Sequence, residues 1–368
     1  MGKTKVGIVF GGKSAEHEVS LQSAKNIADA IDKNKYDVVL IGIDKQGKWQ
    51  LNDKADYLLN ANDPKNIELK PSEQGIAVVP GLKEKQLVNP SQGAVLDQVD
   101  VIFSILHGTL GEDGSMQGML RIANLPYVGP NVLSSAVCMD KDIAKRLLKE
   151  SGIRVANGFT FKKRQLGSIR YEEVAEVLGT TVFIKPANQG SSVGVSKAKT
   201  EEEFYKGLEE AFRYDTKVLV EEAIVGREIE VAVLGNEEPI ASLPGEILPK
   251  TEFYSYESKY IDESGAELAI PAQLSESVTD QARKLAVEVF QTLDVEGLAR
   301  VDFFLTEDGE FVVNEVNTLP GFTKISMYPK LWDITGISYP DLIDRLIQFA
   351  IERHQRDNEL SNAAFQQL

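Results

Sequence analysis

Residues 300–322 read RVDFFLTEDGEFVVNEVNTLPGF, and the reading of this stretch decides the fold. Asp302, Glu315 and Asn317 are three hard oxygen donors on two apolar runs joined by the turn Thr306-Glu307-Asp308-Gly309. Side chains alternate along a strand, so Arg300 and Asp302 share one face, as do Glu315 and Asn317. Pairing the two strands gathers all four side chains into one cluster. Carboxylates set among Val and Phe cost several kcal/mol unless something pairs with them. Mg²⁺ held by one or two carboxylates plus substrate phosphates is the usual arrangement. Arg300 beside such a site can steady negative charge that develops in a transition state. Pro320-Gly321-Phe322 can bring a backbone N–H to the same centre. The competing reading is two polar strand faces turned to solvent.

Working outward, Val6–Phe10 reads as a buried strand closed by Gly11-Gly12. Leu21, Ala24, Ile27, Ala28 and Ile31 then fall on one helical face, and a second strand runs from Val38 to Ile43. This order begins an α/β layer with a mostly parallel sheet. Residues 51–98 give only moderate signals, and another strand is expected over Val99–Leu106. Helices are expected over Met116–Ile122, Lys141–Glu150 and Ser275–Leu293, with a last one opened by Pro340. Strands are expected over Val182–Pro186, Lys217–Glu222 and, antiparallel, Glu228–Leu234. The segment 245–267 reads as a long functional loop, and the final SNAAFQQL as an untethered tail.

Three other clusters carry chemistry. Gly11-Gly12-Lys13-Ser14-Ala15-Glu16 opens a helix, where backbone N–H groups can receive an anion. It lacks G-x-G-x-x-G, which weighs against a dinucleotide-binding oxidoreductase. Glu16 either favours the helix dipole as a cap or binds an ammonium group. His17 reads as a structural or surface histidine. Lys185 leaves a strand into Gly190-Ser191-Ser192, combining a point charge with exposed N–H donors suited to phosphate. This is not a P-loop, and an ordinary turn beside a solvated lysine competes with it. Lys141 near a helix start is a weaker signal. Glu221, Glu222, Glu228 and Glu230 either form a solvated face or include carboxylates that accept from ribose hydroxyls.

Bulk properties narrow the function classes. The chain has 368 residues, enough for two or three domains, and a formal net charge of -16. That balance argues against nucleic-acid binding through an electropositive surface. One cysteine, Cys138, precludes an intrachain disulfide and suits a reducing, cytoplasmic setting. No apolar run approaches the roughly 18 residues of a membrane span, and no secretory signal precedes Val6.

Taken together, Gly11-Gly12-x-Ser14-x-Glu16-x-x-Val19-Ser20, His107-Gly108 with Gly111-Glu-Asp-Gly114, and Met139-Asp140-Lys141 form a recognisable series. Lys185-Pro-x-x-x-Gly-Ser-Ser-Val-Gly194, Tyr256-Glu-Ser-Lys-Tyr260, Arg300-Val-Asp302 and Glu315-Val-Asn-Thr-x-Pro-Gly321 complete it. In this order, over nearly the whole chain, the series resembles the D-alanine–D-alanine ligase family. The resemblance implies an N-terminal open α/β domain (1–130) followed by a two-part ATP-grasp fold. Its parts are a central α+β subdomain (131–228) and a C-terminal α+β domain (229–360) with a lid at about 245–267; the tail is 361–368.

By the same resemblance, Glu16 binds the first substrate's ammonium, aided by Ser191 and Tyr260, with Val19 nearby and His107 beside its carboxylate. Lys141, Lys185 and Lys259 hold ATP phosphates. Glu221, Glu222 and Ile224 meet the adenine, Glu228 the ribose, and Asn314 lies in the nucleotide site. Asp302, Glu315 and Asn317 bind two Mg²⁺, with Mn²⁺ as a substitute and an activating monovalent cation allowed. Arg300 and Gly321 form the oxyanion hole, and Ser326 with Met327 receives the second substrate. Met327 stands where Leu is common, a similarly sized apolar exchange.

The implied reaction joins two D-alanines through a D-alanyl phosphate, for peptidoglycan precursors, in a cytoplasmic homodimer. D-Alanyl-D-lactate or D-alanyl-D-serine formation is the nearest alternative; a non-catalytic nucleotide-binding module is the alternative of another class.

Overall fold

The computed structural model describes residues 2–80, 86–90, 93–95, 99–249 and 266–365. The first layer is built on β1 (Thr4–Gly11), β2 (Tyr36–Ile43), β3 (Trp49–Asn52) and β4 (Val101–Ser104) in the order β3-β2-β1-β4. β1 pairs in parallel with both β2 and β4, and β3 joins antiparallel at the edge. Both faces of the central strand are apolar, as a covered parallel sheet requires. Val6, Ile8 and Phe10 meet Leu21, Ala24 and Ile27 of α1 (His17–Ala30). Val9 belongs to the opposite face, with Met116 and Leu120 of α2 (Ser115–Ile122). The β1–α1 turn needs glycine: at Gly11, φ is +92 and an added Cβ would lie 2.2 Å from the Ile43 carbonyl oxygen. Between β3 and β4, the moderately patterned segment forms short strand pairs such as Leu58–Leu59 with Glu68–Leu69.

Helices α3 (Val132–Met139) and α4 (Lys141–Glu150) lead into the second unit. Asp140 caps α4 by accepting from Ile143 N at 3.2 Å. The sheet that follows comprises β5 (Gly158–Lys162), β6 (Val182–Pro186), β7 (Ser196–Ala198) and β8 (Lys217–Glu222), ordered β5-β8-β6-β7 and antiparallel throughout. Val174 and Leu178 of α5 (Tyr171–Leu178), with Phe204, Leu208 and Phe212 of α6 (Glu201–Tyr214), complete its core.

The third sheet uses β9 (Arg227–Gly235), β10 (Ile240–Ala241), β11 (Gly245–Pro249), β12 (Ala266–Ala269), β13 (Gly297–Leu305) and β14 (Phe311–Asn317). Its order is β12-β11-β9-β13-β14, with β10 paired to β9. Ala282, Ala286, Val289 and Phe290 of α7 (Glu276–Thr292) pack with Val231, Val233, Val301 and Phe303. The other face carries Ala232, Leu234 and Leu298 against Tyr328, Leu331 and Trp332 of α8 (Met327–Ile334). That core runs on without a break into α9 (Tyr339–Phe365), whose Leu342, Ile343, Leu346 and Ile347 also join the cluster of β1 and α1. Polar links reinforce the docking: Tyr36 Oη donates to Asp344 at 2.7 Å, and Arg353 donates to the carbonyl of Tyr127 at 2.8 Å and to that of Gly129.

Three expectations need correction. Residues 245–267 are not loop throughout. β11 and β12 occupy the ends as an antiparallel pair, Glu246 opposite Ala269 and Ile247 opposite Leu268, and only the stretch between them lies outside the described residues. The alternation of those short ends is hidden beside a run of Tyr and charged residues. Ser361–Phe365 of the expected tail are helical, continuing α9, because no Gly or Pro stops the helix and Ala363-Ala364 favour it, and 366–368 lie outside the described residues. The expected junction at 228/229 falls inside β9, which begins at Arg227.

Phe290 is fully buried at the centre of the α7 contact. Phe290→Ala should lower unfolding free energy by about 3–5 kcal/mol, read by chemical denaturation followed by circular dichroism. A loss below about 1 kcal/mol would show that α7 is not integral to the core.

Candidate active site

The β13–β14 ladder sets the centre. Asp302 stands directly opposite Glu315, and Arg300 opposite Asn317. Immediately beyond, the register shifts: Phe303 faces Val313, leaving Asn314 as the extra residue of a β-bulge. A bulge re-aims side chains, and here Asn314 and Glu315 both reach lysines. Lys185 Nζ donates to Asn314 Oδ1 at 3.3 Å, and Lys141 Nζ lies 3.4 Å from Glu315 Oε2. Arg300 grips Asp302 with two bonds of 2.7 Å, Nε to Oδ1 and Nη2 to Oδ2, and its Nε is 3.0 Å from Glu230 Oε2. Asn317 Nδ2 adds a 2.8 Å bond to Asp302 Oδ2. The polar strand faces therefore meet one another, with Arg300, Glu315 and Asn317 half-buried rather than fully solvated.

The donor chemistry fits a hard divalent cation. Asp302, Glu315 and Asn317 offer two carboxylates and an amide oxygen, and cationic side chains already lie against both carboxylates. Among the described residues no group of three or more His, Cys, Asp and Glu could hold a metal, so a cation here would depend on the amide or on phosphate oxygens.

Glu16 begins α1, yet its side chain makes no capping bond. Its carboxylate instead accepts from Ser191 Oγ at 2.5 Å and is buried on the cleft wall. Gly108 lies against this carboxylate, and its φ of +75 is the left-handed conformation that favours glycine. Ser191 and Ser192 have φ of +52 and +60, a conformation that costs non-glycine residues roughly 1–2 kcal/mol. Strain of this kind gathers where side chains are aimed for function. Val19 is buried in α1; His17 is also buried, its Nδ1 2.7 Å from the Gly12 carbonyl oxygen, as a structural histidine.

His107 follows β4 and is buried, with Nδ1 2.9 Å from the Leu319 carbonyl oxygen and Nε2 3.2 Å from Ser23 Oγ. Burial disfavours its charge, but Glu112, with Oε1 3.8 Å from Nδ1, and Glu16 outweigh this and raise the imidazole pKa.

The glutamates do not form a solvated face. Glu221 and Glu230 are buried. Glu221 lies between the ammonium groups of Lys145, in direct contact, and Lys185 at 2.6 Å. Burial alone would raise its carboxyl pKa, and the two cations hold it down at about 2. Glu222 accepts from Asn157 N at 2.7 Å, while Ile224 and Glu228 are half-buried around the β8–β9 connection. Lys141 Nζ also donates to the Gln189 carbonyl at 2.7 Å. Ser326 accepts from Thr323 N at 3.1 Å as α8 begins, and Met327 is buried beside it.

One cleft is lined by Glu16, His107, Lys141, Ser191, Arg300, Glu315, Asn317, Gly321, Ser326 and Met327, from all three sheet layers. Lys259 and Tyr260 lie outside the described residues. The sequence reading passed over Lys145, although it is one helical turn from Lys141 on the same face of α4. It also missed the role of Glu230, one strand period from Glu228 and directly opposite Asp302.

Comparison with known proteins bears on this arrangement. Residues 5–130 match the family model described as D-ala D-ala ligase N-terminus, and residues 147–348 match D-ala D-ala ligase C-terminus. The chain is 63% identical over 361 residues to a D-alanine–D-alanine ligase of Oceanobacillus iheyensis, covering 98% of this chain and 99% of the relative. It is 58% identical over 360 residues to D-alanine–D-alanine ligase A of Escherichia coli, covering 98% and 99%. Among solved structures, the D-alanine–D-alanine ligase of Coxiella burnetii superposes with a TM-score of 0.83 at 40% identity, covering 98% and 99%. The VanG D-Ala:D-Ser ligase of Enterococcus faecalis superposes at 0.84 with 37% identity, covering 95% and 100%. Two family models spanning most of the sequence, and relatives this similar along its whole length, establish that the chain belongs to the D-alanine–D-alanine ligase family and has the ATP-grasp fold.

Proposed function

We infer that the chain catalyses ATP-dependent ligation of two D-alanine molecules to D-alanyl-D-alanine, releasing ADP and phosphate, for peptidoglycan precursors. The observation that carries the residue roles is the single cleft with a carboxylate–serine pair at one side and an arginine, a glycine loop and a serine at the other. Glu16 with Ser191 would receive the ammonium of the first D-alanine, with Val19 and His107 beside it. Lys141 and Lys185, with Lys259, would neutralise ATP phosphates; Asn314, bulged out of the ladder, accepts from Lys185. Backbone groups at Glu221, Glu222 and Ile224 would meet adenine, and Glu228 the ribose.

Asp302, Glu315 and Asn317 would hold two Mg²⁺, or Mn²⁺, which when bound supply charge neutralisation and orientation for phosphoryl transfer. The first D-alanine carboxylate displaces ADP from the γ-phosphate, giving an acyl phosphate. The second D-alanine, its carboxylate at Ser326 beside Met327, attacks the activated carbonyl through its amine. Arg300 and the Gly321 N–H would meet the oxyanion that forms before phosphate leaves. The segment containing Tyr260 would shield the acyl phosphate from water as a lid. Activity as a homodimer, and activation by a monovalent cation, belong to the same proposal.

The VanG relative shares the fold at nearly the same TM-score, so architecture alone does not separate D-alanine from D-serine as second substrate; the relatives near 60% identity favour D-alanine. A non-catalytic module would not need Arg300, Asp302, Glu315 and Asn317 kept together. The deciding assay supplies ATP, Mg²⁺ and D-alanine, alone or with D-serine or D-lactate, and identifies products by mass. One D-alanyl-D-alanine per phosphate is expected; phosphate release without dipeptide, or a mixed product in preference, would overturn the proposal.

Two variants probe the roles. Glu16→Gln should raise KM for D-alanine about tenfold or more, with KM for ATP nearly unchanged. Equal shifts in both constants would remove Glu16 from the ammonium site. Glu315→Gln should lower kcat and move the Mg²⁺ activation midpoint upward while circular dichroism stays the same; an unmoved midpoint would exclude Glu315 as a ligand.

A further inference from the structure

The loop that carries Gly321 is held from outside its own element, and Ser23 is one of the holders. Ser23 lies on α1 and is fully buried. Its Oγ is 3.2 Å from His107 Nε2 and accepts from Phe322 N at 3.4 Å. The other face of the same imidazole closes the circuit, because His107 Nδ1 is 2.9 Å from the Leu319 carbonyl oxygen. Leu319 and Phe322 bracket Pro320-Gly321, so the two residues between them hang from a fixed point on either side. A third fixing bond comes from α9, where Tyr339 Oη donates to the Phe322 carbonyl at 2.6 Å. The Phe322 ring is fully buried among Phe103, Tyr328 and Tyr339, with centroids 5.8, 6.0 and 5.4 Å away.

We propose that Ser23 is a positioning residue for peptide-bond formation, acting through His107 and Phe322 to aim the Gly321 N–H at the oxyanion. This rests on the role given to Gly321 above. The hydroxyl suits the task in either charge state of the imidazole. It donates to neutral Nε2 or accepts from Nε2–H, and in both cases a lone pair remains for Phe322 N–H. An oxyanion donor works only when aimed at where the oxygen will be, and losing one outright costs about 10²–10³ in kcat. Loosening one support should cost less. It should also act selectively. Formation of the acyl phosphate does not use the Gly321 N–H, whereas attack by the second amine does. An acyl phosphate that waits longer is hydrolysed by water, giving D-alanine and phosphate.

The test measures phosphate and dipeptide together in Ser23→Ala and, as a second variant on the other side of the loop, Tyr339→Phe. Ser23→Ala is expected to lower kcat for dipeptide about tenfold, leave KM for ATP unchanged, and raise phosphate released per dipeptide well above one. Tyr339→Phe should raise the same ratio, and it carries the test if Ser23→Ala does not fold. A dipeptide kcat within twofold of the parent, or phosphate and dipeptide falling in step, would overturn the positioning role. Failure of the parent enzyme to make dipeptide at all would instead remove the reading of the site on which this rests.

Discussion

Like charges set opposite each other across a strand pair repel, and here Asp302 faces Glu315 across β13 and β14. Much of the cleft is a response to that repulsion. Arg300 takes Asp302 from its own strand, Lys141 reaches Glu315 from α4, and Lys185 arrives from β6 to meet the bulged Asn314. A helix, α4, and a strand of another sheet, β6, thus converge on one ladder. The cations that balance these acids are the ones proposed above to face phosphate and oxyanion. The Glu221–Lys145–Lys185 group extends the same logic, because a buried carboxylate between two ammonium ions keeps Lys185 from an uncompensated charge.

Much of this was readable from residues alone. The helix over Lys141–Glu150 and the strands Val182–Pro186 and Lys217–Glu222 were bounded correctly, since each has clear periodicity and a sharp end. The shared face of Arg300 and Asp302 followed from a period of two, and their meeting with Glu315 and Asn317 from a four-residue turn. The bulge did not follow. Val313-Asn314-Glu315 contains no glycine, and which residue drops out of a ladder depends on the partner strand. Glu16 was also ambiguous, because capping and ligand binding place the same residue type at a helix start; only its bond to Ser191, far away in sequence, separates them.

Ser23 shows a different limit. A serine on the buried side of an amphipathic helix is indistinguishable from any small residue that lets a helix approach a sheet. Its meaning comes from His107, beyond the far end of its own layer's sheet, and from Phe322 of the third layer, which the fold brings to it. The strands at 245–249 and 266–269 were lost for a compositional reason, since short alternations beside a polar segment give too few repeats to register.

The docking of α9 on the first layer also has a consequence for how the chain is made. Synthesis runs from the N-terminus, and domains generally begin folding as they emerge. Val6, Ile8, Phe10 and α1 leave the ribosome before the second and third sheets, but Leu342, Ile343, Leu346 and Ile347, which share their core, come out after both. The first layer therefore waits with one apolar face incompletely covered until α9 emerges, and the Arg353 bonds to Tyr127 and Gly129 can close only then. Of the three layers, the first to be made is among the last to be finished.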